Sequence, residues 1–203
     1  MVVRTAAAIA AAFTLLTVPA AAIATAAPAP HGQPTWDQLY AQQTANREHT
    51  AAVFPKLVPG ARDIDLSDFG NDRVSQFNGQ SYLGGQVWFT DADGGENLYI
   101  QVSGPTTLDA LQQGCAKVTR CTTRRETNGS HTYVLENDEQ TPGGTATTRF
   151  AENLRSDGTL VLVQEHNYLP ERDGGEPSGA IHKTFPLSTD QLLTLARDRA
   201  YQI

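Results

Sequence analysis

Residues 146–167, ATTRFAENLRSDGTLVLVQEHN, decide the architecture. Two extended runs, Ala146 to Arg155 and Thr159 to Asn167, flank Ser156-Asp157-Gly158, a composition that reverses the chain. In the second run Leu160, Val161, Leu162 and Val163 are apolar on both faces of a strand, so this strand is expected to be central and covered on both sides. Two further hairpins lie upstream. Cys121 to Thr127 and Ser130 to Asn137 flank Asn128-Gly129, which reads as a two-residue turn. Gly85 to Thr90 and Glu96 to Ser103 flank Asp91-Ala92-Asp93-Gly94-Gly95. In the second of these strands Leu98, Ile100 and Val102 share one face, and Tyr99, Gln101 and Ser103 the other.

Helices mark the ends. Thr35-Trp36-Asp37-Gln38 is a capping box, and the helix it opens is expected to run to about Thr50. Its apolar face is thin (Trp36, Leu39, Tyr40, then Val53 and Phe54), which places it on the surface of something else. A second capping box, Ser188-Thr189-Asp190-Gln191, opens a final helix with Leu187 and Leu192 set as a hydrophobic staple and Leu192, Leu195, Ala196 and Ala200 as its stripe. Pro105 and Thr106 start a short helix through Leu108 and Leu111, with Gly114 expected in the left-handed position that ends it. Pro55 to Asn78 reads as irregular, Asp138 to Thr145 and Pro170 to Gly179 as flexible linkers, and Ala180 to Phe185 as a last strand. The expected fold is α+β: one domain over residues 35–203, with a mostly antiparallel sheet of about six strands packed with N- and C-terminal helices.

The N-terminus carries an address. Met1 to Arg4 holds one positive charge, Ala6 to Ile23 holds no charge, and Ala24-Thr25-Ala26 offers the small-x-small pattern cut by signal peptidase. Residues 1–26 are read as a secretory signal cleaved between Ala26 and Ala27, and residues 27–34 as a Pro-rich flexible tail. The run is mostly alanine, too weakly apolar for a span of about 20 residues, so no stable membrane anchor is expected after cleavage. No Cys follows it and no twin Arg precedes it, which argues against a lipoprotein and for the general export route. An exported chain meets oxidising conditions. Its two cysteines, Cys115 and Cys121, are therefore expected to pair, in a C-x5-C spacing unlike a redox C-x-x-C. Losing the leader, whose one charge is Arg4, takes the formal net charge from −7 to −8. An acidic domain repels phosphate backbones and anionic lipid, so no nucleic-acid partner is expected. Abundant Ala, Thr and Gly with scarce lysine is the usage of a high-GC bacterial genome.

From about Gly85 to Ile203 the chain resembles a loose group of uncharacterised secreted actinobacterial proteins. The resemblance rests on Cys115 and Cys121, Asn128-Gly129, Asp157-Gly158-Thr159, and the Leu187 to Ala196 pattern. The group's usual aromatic ending after the helix is missing here. The resemblance implies export and brings no activity with it.

Chemical motifs are few. Asp91 to Glu96 opens like a calcium loop, but the twelfth position is Val102 where a Glu is required, and a hairpin turn explains the same residues. Glu171, Asp173 and Glu176 read as a solvated loop. His131, His166 and His182 fall on expected strands and would make a zinc site only if the sheet brought them together. Gly-x-Ser-x-Gly and Ser-x-x-Lys are absent, Ser178-Gly179 lacks a partner motif, and Asp68-Phe69-Gly70 stands without the rest of a kinase set. Asp63, Asp65, Asp68 and Glu165 are carboxylates that acid–base chemistry would need close together. No catalytic, metal or cofactor residue is assigned. The expected function is a secreted, non-enzymatic module that binds a partner or ligand outside the cell or at its surface. The alternative is a divergent extracellular hydrolase with residues drawn from Asp63 to Asp72 and Pro170 to Gly179. A third reading, an inhibitor, would use the Cys115–Cys121 turn as its rigid loop.

Overall fold

A computed structural model describes residues 34–70, 81–171 and 180–203. The leader, its cleavage point at Ala26 and Ala27, and the tail up to residue 33 lie outside the described residues, as do Asp173, Glu176 and Ser178-Gly179. The chain folds as α1 (Trp36–Leu57), β1 (Arg62–Leu66), β2 (Ser81–Thr90), β3 (Gly95–Gly104), α2 (Leu108–Cys115), β4 (Arg120–Arg125), β5 (His131–Thr141), β6 (Gly144–Leu154), β7 (Leu160–His166) and α3 (Thr189–Arg197). The strands form one seven-stranded antiparallel sheet in the order β1-β2-β3-β7-β6-β5-β4. This is the expected α+β architecture with one strand more than anticipated. No described helix is long and apolar enough to cross a membrane.

The Leu160 to Val163 run is the middle strand of the seven. Val161 and Val163 enter the main core with Leu98, Ile100 and Val102 of β3, Leu83, Val87 and Phe89 of β2, and Leu192, Leu195 and Ala196 of α3. Leu160 faces the other way, into a smaller cluster with Leu111 of α2, Tyr133, Leu135 and Leu154. A strand covered on both sides must be apolar on both, and this one is.

Helices α1 and α3 close one face of the sheet. Both capping boxes form: the Thr35 and Ser188 hydroxyls accept from the N–H of Gln38 and Gln191, whose side chains accept in return from the cap N–H. α1 runs seven residues beyond Thr50, through Pro55, because Phe54 and Val58 seat in the main core. The segment after α3 folds back onto α1. The buried Asn46 side chain donates to Gln202 O (2.9 Å) and accepts from Gln202 N–H (3.2 Å), while Thr50 Oγ1 lies 3.1 Å from Tyr201 Oη.

Several local expectations are corrected. The region after Pro55 holds β1, an edge strand with a bulge between Arg62 and Asp65 and Asp63 at φ 50°. Asp138 to Thr145 is the tip of a long hairpin, with Thr141 paired to Gly144, and not a linker. Ala180 to Phe185 makes no strand. Gly114 lies inside α2, whose C-cap is Ala116. The Asn128-Gly129 turn is longer than two residues. Glu126 N–H donates to Ser130 O (2.9 Å), and only Gly129 is left-handed (φ 84°), whereas the two-residue turn requires Asn128 left-handed as well.

The disulfide forms. Cys115 and Cys121, with Cα atoms 5.5 Å apart, tie the end of α2 to the start of β4. The closed loop is short, so reduction should lower stability by less than about 3 kcal/mol and loosen α2 before the main core. Thermal unfolding and amide exchange with and without dithiothreitol read both effects.

Candidate functional site

Among the described residues, a helix lies over only half of one sheet face. After β3 the chain must reach β4 at the far edge, and it crosses by α2, over β7, β6 and β5. Among the described elements none lies over the same face of β2 and β3. Strand register aligns its side chains in rows: Gln86–Tyr99–Gln164–Phe150 and Gly84–Gln101–Leu162–Glu152, with the pairs Trp88–Asn97 and His166–Thr148 beyond them. Tyr82, Gln86, Trp88, Tyr99, Gln101 and Gln164 are half-buried, between core and solvent.

Hydrogen bonds fix the aromatic rings and the histidine of this face. Trp88 Nε1–H donates to Gln86 Oε1 (2.8 Å), and Tyr99 O–H to Gln101 Oε1 (3.1 Å). The Tyr99 ring lies down across β2: a Cβ on Gly84 would sit 2.2 Å from its Oη. Only glycine leaves room for that. Burial pushes the Tyr99 phenol up to about 12, so it stays protonated. Burial pulls His166 down to about 4, which makes it a neutral imidazole. The Gln164 amide donates to its Nε2 (3.0 Å), which assigns the ring proton to Nδ1, 3.1 Å from Thr148 Oγ1. His166 also stacks near Tyr168, ring centroids 4.8 Å apart.

On this face β2, β3, β6 and β7 carry one carboxylate, Glu152, and no lysine or arginine. Burial raises Glu152 to about 7. The folded chain therefore holds its proton between the ordinary carboxylate range and neutrality while the unfolded chain releases it, so Glu152 costs stability as pH rises through that window. Glu152→Gln should stabilise the fold by about 1–3 kcal/mol at pH 8 and have little effect near pH 4, measured by urea unfolding at the two pH values.

The opposite, helix-covered face holds two buried acid–base pairs. Arg149 Nε donates to Glu165 Oε1 (2.7 Å), while Glu165 Oε2 accepts from Leu187 N–H (3.1 Å). Glu96 lies against His182, with Nδ1 2.8 Å from its carboxylate. Burial raises both Glu96 and Glu165, against the pull of His182 and Arg149 respectively.

The residues singled out from sequence scatter. His166 is buried on the α2 side of the sheet, His182 lies on the opposite side with Glu96, and His131 pairs with Leu154, opposite Leu160 and six positions from His166 along β7. Asp63, Asp65 and Asp68 are exposed along the β1 edge, whereas Glu165 is buried with Arg149. The Asp91 carboxylate accepts from the N–H groups of Asp93 (2.8 Å) and Gly94 (3.2 Å), as a hairpin turn uses it. Among the described residues no three His, Cys, Asp or Glu side chains could hold a metal ion together.

These features define an α+β protein on a seven-stranded antiparallel sheet, with α1 and α3 on one face and, among the described residues, a helix over only half of the other. No family model matches the chain, and no curated protein shows significant similarity to it.

Proposed function

We propose that this chain is an exported, non-enzymatic binding module whose ligand lies on the face of β2 and β3 that α2 does not cover. The observation that carries the reading is the half-buried set of hydrogen-bonded aromatic and amide side chains there, Gln86, Trp88, Tyr99 and Gln101. Export is supported by the leader pattern of residues 1–26 together with the Cys115–Cys121 bond, which persists in oxidising compartments. The partner is then an extracellular or cell-surface one.

The test is an NMR titration of the isotope-labelled mature protein with fractionated spent growth medium. Shifts confined to Tyr82–Trp88 and Asn97–Gln101 are expected. Shifts confined to the helix-covered face, or turnover in a broad hydrolase screen that survives repurification, would sink it. One feature favours the hydrolase alternative: burial raises the Glu152 carboxyl to about 7, within the range a general acid uses. That reading requires Glu152→Gln to abolish turnover.

A further inference from the structure

We propose that the outer edge of β4 takes an extended acidic peptide segment of a partner protein, added to the seven-stranded sheet as one more strand. This edge lies at the far end of the sheet from β2 and β3, and the proposal does not depend on the reading given to their face.

The backbone sets the first condition. β4 ends the strand order and pairs with β5 alone. Successive N–H groups of a strand point to opposite sides. Glu126 N–H points inward, to Ser130 O, and the pairing runs unbroken from Arg125–His131 to Arg120–Glu136. Arg120, Thr122 and Arg124 therefore bond to β5, while the N–H and C=O groups of Cys121, Thr123 and Arg125 point outward. Among the described residues these outward groups have no hydrogen-bond partner. Thr122, Thr123, Arg124 and Arg125 are all exposed, so the edge is bare.

Geometry sets the second. Sheets commonly guard an edge with a bulge or a short strand. The opposite edge is guarded that way: β1 has five residues and a bulge between Arg62 and Asp65. β4 has neither a bulge nor a proline. It is also fixed at both ends. The disulfide pins Cys121 to α2, and Glu126, just past the strand, is held by Arg197 of α3 and by Thr132. A fixed edge loses little freedom when a strand is added to it.

Charge selects the occupant. β4 carries Arg120, Arg124 and Arg125 and no carboxylate, in a chain of net charge −7. Arg120 is engaged by Glu136 and Asp138. Arg124 meets Glu126 at 3.5 Å and its side chain is 71% exposed, while Arg125 has no ion pair among the described residues. Neighbouring residues of a strand face opposite sides of the sheet. The two arginines therefore call for two consecutive acidic residues on the added strand, with β-branched residues opposite Thr122 and Thr123. A second copy of this chain fits badly, since it brings its own arginines to the join.

The probe is a fluorescein-labelled octapeptide, Gly-Glu-Glu-Val-Thr-Val-Thr-Gly, which in antiparallel pairing sets its glutamates against Arg125 and Arg124. It is titrated into the isotope-labelled mature chain, with fluorescence anisotropy reading affinity and amide exchange reading position. Before addition, the amides of Thr122 and Arg124 should be protected and those of Thr123 and Arg125 should exchange fast. The peptide should bind saturably and slow Thr123 and Arg125. Arg125→Glu should weaken binding by about tenfold, because it replaces an attraction with a repulsion. Thr123→Pro removes an outward donor without touching the β4–β5 ladder and should abolish binding. Two altered peptides leave the protein as it is: one with lysines for the glutamates, one with both valines N-methylated. Neither should bind. Silence of the acidic peptide overturns the proposal, as does equal binding of either altered peptide or protection that arises away from β4. Protection of Thr123 and Arg125 without peptide, together with a dimer mass in ultracentrifugation, gives the edge to a second copy and overturns it too. None of these outcomes touches the β2–β3 reading, whose titration reports on other residues.

Discussion

Arg149→Met should cost about 3–5 kcal/mol at pH 7, the penalty for leaving a buried charge without its partner. Arg149 is buried beneath the entry to α3. Its Nε and Nη2 both donate to Glu165 Oε1, Nη2 also donates to Leu187 O, Nη1 reaches Thr189 Oγ1 (3.2 Å), and its Cζ stands 4.0 Å above the Phe185 ring. Glu165 completes the clamp from the other side through Leu187 N–H. The pair therefore holds residues 185–189 against β6 and β7, and with them the N-terminus of α3. In the variant Glu165 keeps its burial and loses its cation, so its pKa rises further and the folded state takes up a proton. Part of the lost stability should accordingly return on going from pH 7 to pH 5. Urea unfolding at both pH values measures this; equal losses would mean that the charge is not what the Arg side chain serves. The double variant Arg149→Met, Glu165→Gln should be less destabilised at pH 7 than the single one, because no bare charge remains inside.

Phe54→Ala is the other large effect, also about 3–5 kcal/mol. Phe54 is fully buried and meets Phe89 edge-to-face with ring centroids 5.0 Å apart. Few apolar anchors hold α1: among its buried residues Leu39 and Phe54 are apolar, while Asn46 and Thr50 are polar and bonded to the C-terminal segment. A cavity at Phe54 should therefore release α1 locally before the sheet opens. Amide exchange in α1 should speed up much more than exchange in β3 and β7. Uniform acceleration across the chain would show that α1 and the sheet unfold as one unit.

These two positions also mark how far the sequence could be read. Caps were legible because Thr35 and Ser188 use local chemistry, each satisfying a backbone donor three residues ahead. The centrality of β7 was legible because a strand covered on both faces has no freedom to place a polar residue at Leu160 to Val163. The length of α1 was not. Its polar anchors find their partners about 150 residues away, and Pro55 argues locally for a stop. β1 was missed because an edge strand with a bulge and exposed Asp63 and Asp65 has the composition of a loop. The β2–β3 face has no motif at all, since each strand contributes side chains at every second position and only register brings them together. The one local signal was that Tyr99, Gln101 and Ser103 alternate with Leu98, Ile100 and Val102. That alternation identifies a polar aromatic face without saying which strands complete it.

The Cys115–Cys121 bridge has a consequence for durability. Between the two cysteines, Ala116, Lys117, Thr119 and Arg120 are exposed, and this turn links the half of the sheet that ends at β3 with the half that begins at β4. A peptidase nick at Lys117 would divide the polypeptide between its two sheet-forming halves. The sulfur bond spans the cut, so the product would be a two-chain molecule still covalently whole. Such a nick would go unnoticed on a non-reducing gel and appear as two fragments only after the thiols are restored.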